Sequence, residues 1–187
     1  VSFPGIPFSN SYSSFALQLN SDEEPIVATV ESGECGQIKL FEWANNQWNS
    51  IPSPIPNDCA KGDIAIATKG DGSLAILLQS DTGVWAYQWT SQWESLGSST
   101  VHPTVLRHAS HPTISSQSAM HAPQLTWGDD DILRALWGHA GKITAFEFVE
   151  EAWLPMGIGE LNLRQEEATA EATALSLNKA GYGYGVF

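Results

Sequence analysis

Five histidines, His102, His108, His111, His121 and His139, stand between positions 102 and 139 of a 187-residue chain. Four of them share one stretch, TVHPTVLRHASHPTISSQSAMHAP, with Arg107. Imidazole changes charge near neutral pH, so each can act as general acid, general base or metal ligand. His108, His111 and His139 are the candidate acid/base groups, with Arg107 or Arg164 placed to stabilise negative charge. The repeated His-Pro-Thr at 102–104 and 111–113 restricts the backbone before each proline. The competing reading is a solvated, proline-rich linker whose histidines do no chemistry. The HxxH spacing of His108 and His111 lacks a helix to put both on one face, so no metal is expected. No other cofactor is expected either: the chain has no GxSxG elbow, no Gly-rich phosphate loop before a helix and no CxxC. The acidic runs Asp129-Asp130-Asp131, Glu23-Glu24 and Glu166-Glu167 lack the alternating ligands and distal Glu of a Ca²⁺ loop. They read as solvated turns.

The elements that must position these groups follow from a repeat. IKLFEWANNQWNSI (38–51), VWAYQWTSQWESLG (84–97) and ITAFEFVEEAWLPMG (143–157) align. Phe41-Glu42-Trp43 matches Tyr87-Gln88-Trp89 and Phe146-Glu147-Phe148, followed by Trp48, Trp93 or Trp153, then Ile51, Leu96 or Met156. Large side chains alternating with Glu or Gln are a period-2 strand signal, and the short polar gap reads as a hairpin turn. Two further strand-like runs precede each copy: 15–19 and 25–30, 63–68 and 73–78, 123–127 and 132–137. A fourth copy starts with TALSL and ends in YGYGVF, with Gly181, Gly183 and Gly185 suited to close backbone packing.

The expected fold is therefore all-β: a small β-propeller of about four four-stranded antiparallel blades. One domain covers 1–187, with repeat units 15–56, 62–99, 122–158, and 171–187 plus 1–8. The N-terminal segment VSFPGIPF is expected to close the last blade by supplying an outer strand. The runner-up is an incomplete ring completed by a second chain, which would make a homodimer. A two-sheet sandwich comes third, since it leaves the repeat unexplained.

Antiparallel strands sort the loops onto two ends of such a ring. Links between units and loops between second and third strands share one end, termed upper here. All five histidines, Arg107 and Arg164 map there. So do Cys35 and Cys59, on neighbouring blades, which makes them the candidate disulfide if their Cα atoms come within ~7 Å. A bridge would favour an extracellular, secreted setting; without it the chain would be cytoplasmic. The chain starts at Val1 rather than Met, so a processed chain or one with its start removed is expected. Lys and Arg number 8 against 21 Asp and Glu, a net charge of −13, which repels nucleic acid and anionic lipid. No apolar run approaches the ~20 residues of a membrane-spanning helix.

The aromatic third strand, short turn and QWESLG (92–97) resemble the blades of small β-propeller lectins, the tachylectin-like and related bacterial and fungal sugar-binding propellers. The pattern covers some 140 residues, and Tyr87 to Gly97 closely. The resemblance implies a carbohydrate or other small polar ligand bound at the upper loops. Trp85 and Trp137 would stack on it, with His102, His108, His111, His139 and Arg164 as hydrogen-bonding candidates. Trp85 has Lys39 and Thr144 at its place in the other units. The upper loops ESGECGQ (31–37), SDTG (80–83) and GHAGK (138–142) also differ, whereas lectin propellers usually repeat their sugar contacts. That asymmetry favours a single site. Two other function classes stand beside the lectin: a lyase, isomerase or cyclase with one histidine site over the ring axis, and a protein-interaction platform.

Overall fold

A computed structural model describes residues 12–32, 36–54, 63–80, 83–96, 121–139, 142–156, 161–162, 174–177 and 183–186. All regular structure among them is strand. The first sheet joins β1 (Tyr12–Leu19), β2 (Pro25–Glu31), β3 (Ile38–Ala44) and β4 (Gln47–Ile51) in sequence order. The second joins β5 (Ile64–Thr68), β6 (Leu74–Ser80), β7 (Gly83–Trp89) and β8 (Trp93–Ser95) in the same way. The third joins β9 (His121–Trp127), β10 (Leu133–His139), β11 (Lys142–Val149) and β12 (Ala152–Pro155), with β13 (Leu161–Asn162) added along β11. A fourth, two-stranded sheet pairs β14 (Ala174–Leu177) with β15 (Gly183–Val186). The expected small β-propeller is thus the fold, with the sheets as blades. The first strand begins three residues earlier than its apolar run suggested, and β13 has no counterpart in the sequence reading. Residues 1–8, expected to close the fourth blade, lie outside the described residues.

Turn chemistry repeats from blade to blade. At the first hairpin of blades one to three, one backbone bond recurs: Asn20 N–H to Glu24 O, Lys69 to Ser73, and Gly128 to Ile132. Each turn carries one residue with positive φ, at Glu23, Gly72 and Asp131. A side-chain oxygen caps each turn. Asn20 Oδ1 accepts from the N–H of Asp22 and Glu24, Asp71 Oδ1 from Ser73 and Asp130 Oδ1 from Ile132. Such capping explains why Asn and Asp occupy these places. The outer hairpins of blades one and three are two-residue turns, Asn45-Asn46 and Glu150-Glu151, with φ between 51° and 63° at all four residues. Asn adopts this left-handed region readily; Glu does so only at a cost in strain.

Blades stack through unlike faces. On blade one, Ile26, Ala28, Val30, Ile38, Leu40 and Ile51 form an aliphatic face. Blade two presses Ile64, Ile66, Leu74, Ile76 and Leu78 onto it, flanked by Trp85, Tyr87, Trp89 and Trp93. Its other face is built of small residues, Ala65, Ala67, Ala75 and Ala86, with Leu77. Against these lie Leu125, Leu133, Phe146 and Trp153 of blade three, with Trp127 and Phe148 beside them. So blades two and three turn their bulky side chains toward the blade before them. Polar bonds add to the first junction. Ser14 Oγ accepts from Ile64 N–H, Thr68 Oγ donates to Leu19 O, and Trp93 Nε1 donates to Pro52 O at 2.6 Å. At the second, the Lys69 ammonium lies 3.2 Å from Asp131 and 5.3 Å from the Trp127 ring centroid.

The acidic run 129–131 is more than a solvated turn. Arg134, buried on β10, donates two hydrogen bonds to the Asp130 carboxylate, at 2.8 and 2.6 Å, with Glu147 3.8 Å away. Gly128 leaves room for them, since a Cβ there would collide with the Arg134 guanidinium and the Asp130 carboxylate. The guanidinium hydrogen bonds hold the Asp130 carboxyl well below its ordinary value, from 3.8 to about 2, and the Ile132 N–H helps.

Two predictions follow from these local geometries. Replacing Glu150→Asn together with Glu151→Gly relieves two left-handed glutamates and is expected to raise unfolding stability by about 1 kcal/mol in urea titration. For Asp130 the folded pKa is below the unfolded one. Its pairing therefore stabilises the fold fully above pH ~4 and is lost as acid takes the pH down through about 2. The Tm difference between the native chain and Asp130→Asn should be largest near neutral pH and close over that window.

Candidate ligand-binding face

The antiparallel order sends the β2–β3, β6–β7 and β10–β11 connections to the upper end of the blades, opposite the capped turns. Along the third strand of each blade, positions near the lower end keep large aromatics. Trp43 meets Trp48, Trp89 meets Trp93 and Phe148 meets Trp153 across the outer hairpin, each pair with ring centroids 5.3 Å apart. The repeated tryptophans are blade packing. Two steps higher in the same alternation, past Phe41, Tyr87 and Phe146, the blades diverge.

In blade two that position is Trp85, opposite Leu78 on β6. Its ring is half-buried and packs against the aliphatic core between blades one and two. The residue stays partly exposed. In blade one the equivalent is Lys39, opposite Thr29. Its ammonium pairs with the Glu31 carboxylate, and Glu31 in turn lies opposite Tyr12 on β1. That hydrogen bond to Glu31 lifts the Lys39 pKa above its ordinary value, against a smaller opposing effect of desolvation. An aromatic, an acid and a base thus occupy the corner of blade one that an indole occupies in blade two.

In blade three the equivalent is Thr144, opposite Trp137. The β9–β10 register shifts between Leu136 and Gly138, leaving Ala122 and Pro123 bulged opposite Trp137. A proline cannot donate to the ladder, which accounts for the bulge. Beyond it the backbone register sets His139, Lys142 and Asn162 on one rung across β10, β11 and β13, with His121 of β9 on the adjacent rung. His121 pairs with Gly138, His139 with Lys142, and Lys142 with Asn162 of β13. Sequence reasoning did not single out Tyr12, Lys142 or Asn162. The signal for Asn162 is too short to find, because β13 is two residues long.

The structure therefore places Trp85, Trp137 and His139 on the upper ends of β7, β10 and β10. His102, Arg107, His108, His111, Arg164, Cys35 and Cys59 lie outside the described residues. Among the described residues no group of three or more His, Cys, Asp or Glu stands close enough to share a metal ion.

No family model matches the chain, and no curated protein matches it. Solved structures do. The Aleuria aurantia lectin in complex with alpha-methyl-L-fucoside superposes with a TM-score of 0.54 at 12% identity, over 87% of this chain and 50% of the lectin. AofleA from Arthrobotrys oligospora superposes with a TM-score of 0.51 at 12% identity, over 90% of this chain and 47% of its own. The chain spans about half the length of these solved proteins. At such identity the likeness is one of architecture: the chain has a small β-propeller fold.

Proposed function

We propose that the protein is a carbohydrate-binding module that takes a neutral sugar at the upper face, with Trp85 as its stacking platform. The observation that carries this reading is the position of Trp85. It is an indole held in place by the inter-blade core yet still partly exposed, at a repeat position where packing asks for no aromatic, since Lys39 and Thr144 fill it elsewhere. An indole fixed on one side costs little further ordering when a sugar's C–H face stacks on the other. Polar positions on the neighbouring blades, Lys39 and Glu31 on one side and His139 and Lys142 on the other, supply the kind of groups that hydrogen-bond hydroxyls. The fold is shared with a lectin solved with a fucoside, which makes methyl α-L-fucoside the first ligand to try. Net charge −13 argues for neutral glycans over sialylated or sulfated ones.

Titration with methyl α-L-fucoside and a panel of neutral and anionic glycans, read by calorimetry and tryptophan fluorescence, tests the proposal. Binding to neutral members is expected. Trp85→Ala should weaken it about tenfold or more, equivalent to ~1.4 kcal/mol. Ser91→Glu, in an exposed lower turn, should leave it unchanged. A panel that stays blank at high protein concentration would sink the lectin reading. Unchanged binding by Trp85→Ala would move the site elsewhere. The histidine contribution is separable, because His108→Ala, His111→Ala and His139→Ala each report on it in the same assay.

A further inference from the structure

The first hairpins of blades one to three repeat one turn, and in each an aspartate precedes a residue of positive φ. The pairs are Asp22-Glu23, Asp71-Gly72 and Asp130-Asp131, with φ of 60°, 87° and 62° at the second residue. The N–H of that second residue donates back into the turn: Glu23 to Asn20 O, Gly72 to Lys69 O and Asp131 to Gly128 O, at 3.0 to 3.1 Å. Chemistry separates these otherwise equivalent turns. The carboxyl carbon of an aspartate can be attacked by the backbone nitrogen of the next residue, and a side chain on that residue hinders the attack. Glutamate and aspartate carry such a side chain; glycine has no Cβ. Asp71-Gly72 is the sole Asp-Gly pair in the sequence, and no Asn-Gly pair occurs. It is also accessible, with 55% of the Asp71 side chain open to solvent.

We propose that Asp71 is a site of spontaneous isoaspartate formation, gated by the contacts of its own turn and by the Lys69 clasp between blades two and three. The Gly72 nitrogen bonds to Asp71 Cγ, the carboxyl hydroxyl leaves with the amide proton as water, and a cyclic succinimide results. Water then opens the ring. Cleavage of the new N–Cγ bond returns aspartate. Cleavage between the nitrogen and the Asp71 backbone carbonyl carbon leaves the chain running through Cβ and Cγ, with a free α-carboxylate. The fold opposes the first step at both reacting groups. The Gly72 N–H is tied to Lys69 O, and Asp71 Oδ1 accepts the Ser73 N–H at 2.9 Å. The Lys69 ammonium lies 3.6 Å from Asp71 Oδ2 and reaches across to Asp131 and the Trp127 ring of blade three. The Ser73 N–H and hydroxyl, and after them Lys69, hold the Asp71 carboxyl below its ordinary value. It therefore stays ionised, the form that resists attack. In the isomerised chain the backbone is one carbon longer between β5 and β6, and the carboxylate no longer sits where Ser73 and Lys69 receive it. The proposal stands independently of any ligand.

Prolonged incubation of the full chain near neutral pH, followed by peptide mapping with electron-transfer fragmentation, tests it. Isoaspartate is expected at Asp71 and not at Asp22 or Asp130. Gly72→Asn should stop its formation while the turn survives, since Asn adopts positive φ and a Cβ at Gly72 meets nothing within 4 Å. Lys69→Gln leaves the Asp-Gly bond intact and should speed the reaction about threefold or more, the scale set by an exposed ion pair. Added salt, which screens the same pair, should speed it in the native chain. The isomerised fraction, separated by ion exchange, should unfold at lower urea concentration than the unmodified one. Isoaspartate that is absent at Asp71, or no more abundant there than at Asp22 and Asp130, overturns the proposal. So does a rate unchanged both by Lys69→Gln, folded by circular dichroism, and by salt.

Discussion

Where the second blade meets the third, Ala65, Ala67, Ala75 and Ala86 open the space that Phe146 and Trp153 fill. Where the first meets the second, branched aliphatics receive a face lined by four aromatics. Neither sheet could hide both of its faces alone, so each blade's stability is largely a property of its two neighbours. This dependence sets almost everything else. It fixes which face each aromatic takes, forces the lower-end Trp and Phe pairs to recur at one spacing, and makes the first and last blades unlike those between them. Burial of apolar area is non-directional, so registry at the junctions needs polar bonds as well. Ser14, Thr68 and Trp93 supply them at one junction and Lys69 at the other.

Much of this was legible in the residues. Strand alternation, the recurring aromatic pair and the Asn- and Asp-rich turns located the strands of three blades and sorted their loops, because each signal arises from local backbone geometry. Two features were not legible, for physical reasons. Asp130 and Arg134 read as a charged turn followed by a strand, since nothing local says that the arginine is buried and that the glycine at 128 clears its path. The exposure of Phe15, Leu17 and Leu19 was hidden too. Their alternation is the same as that of Ile64 and Ile66, and periodicity reports which face a side chain takes, not whether another sheet covers it.

The candidate site shows the same limit from the other side. Trp85 stood out because its repeat position is filled by Lys39 and Thr144 in the other blades, and that comparison needed only the alignment. What the alignment could not show is that the ring has two duties. It packs into the junction core and yet remains partly exposed. For Trp137 and His139 the register adds a different fact: a proline bulge lies opposite the tryptophan, and a short fifth strand brings Asn162 beside Lys142. Long-range pairing of that kind, across a link of many residues, leaves no local trace.

The division between the two ends of each blade carries the strongest argument about where function lies. Toward the lower end, equivalent positions keep one character: Phe41, Tyr87 and Phe146, then Trp43, Trp89 and Phe148. Packing density leaves those positions little choice, because a smaller residue opens a cavity and a larger one does not fit. Toward the upper end the same strands carry Lys39, Trp85 and Thr144, and their neighbours carry Glu31, Ser80 and His139. No single packing constraint would select an acid, a hydroxyl and an imidazole in equivalent places. Residues at the upper end are therefore answering to something other than the fold, and they answer differently in each blade. A ring that bound one ligand identically at every junction would repeat its contacts as faithfully as it repeats its core. This one repeats only the core among its described residues, so the carbohydrate site proposed above would be formed at one junction, or at several that each do a different part of the work.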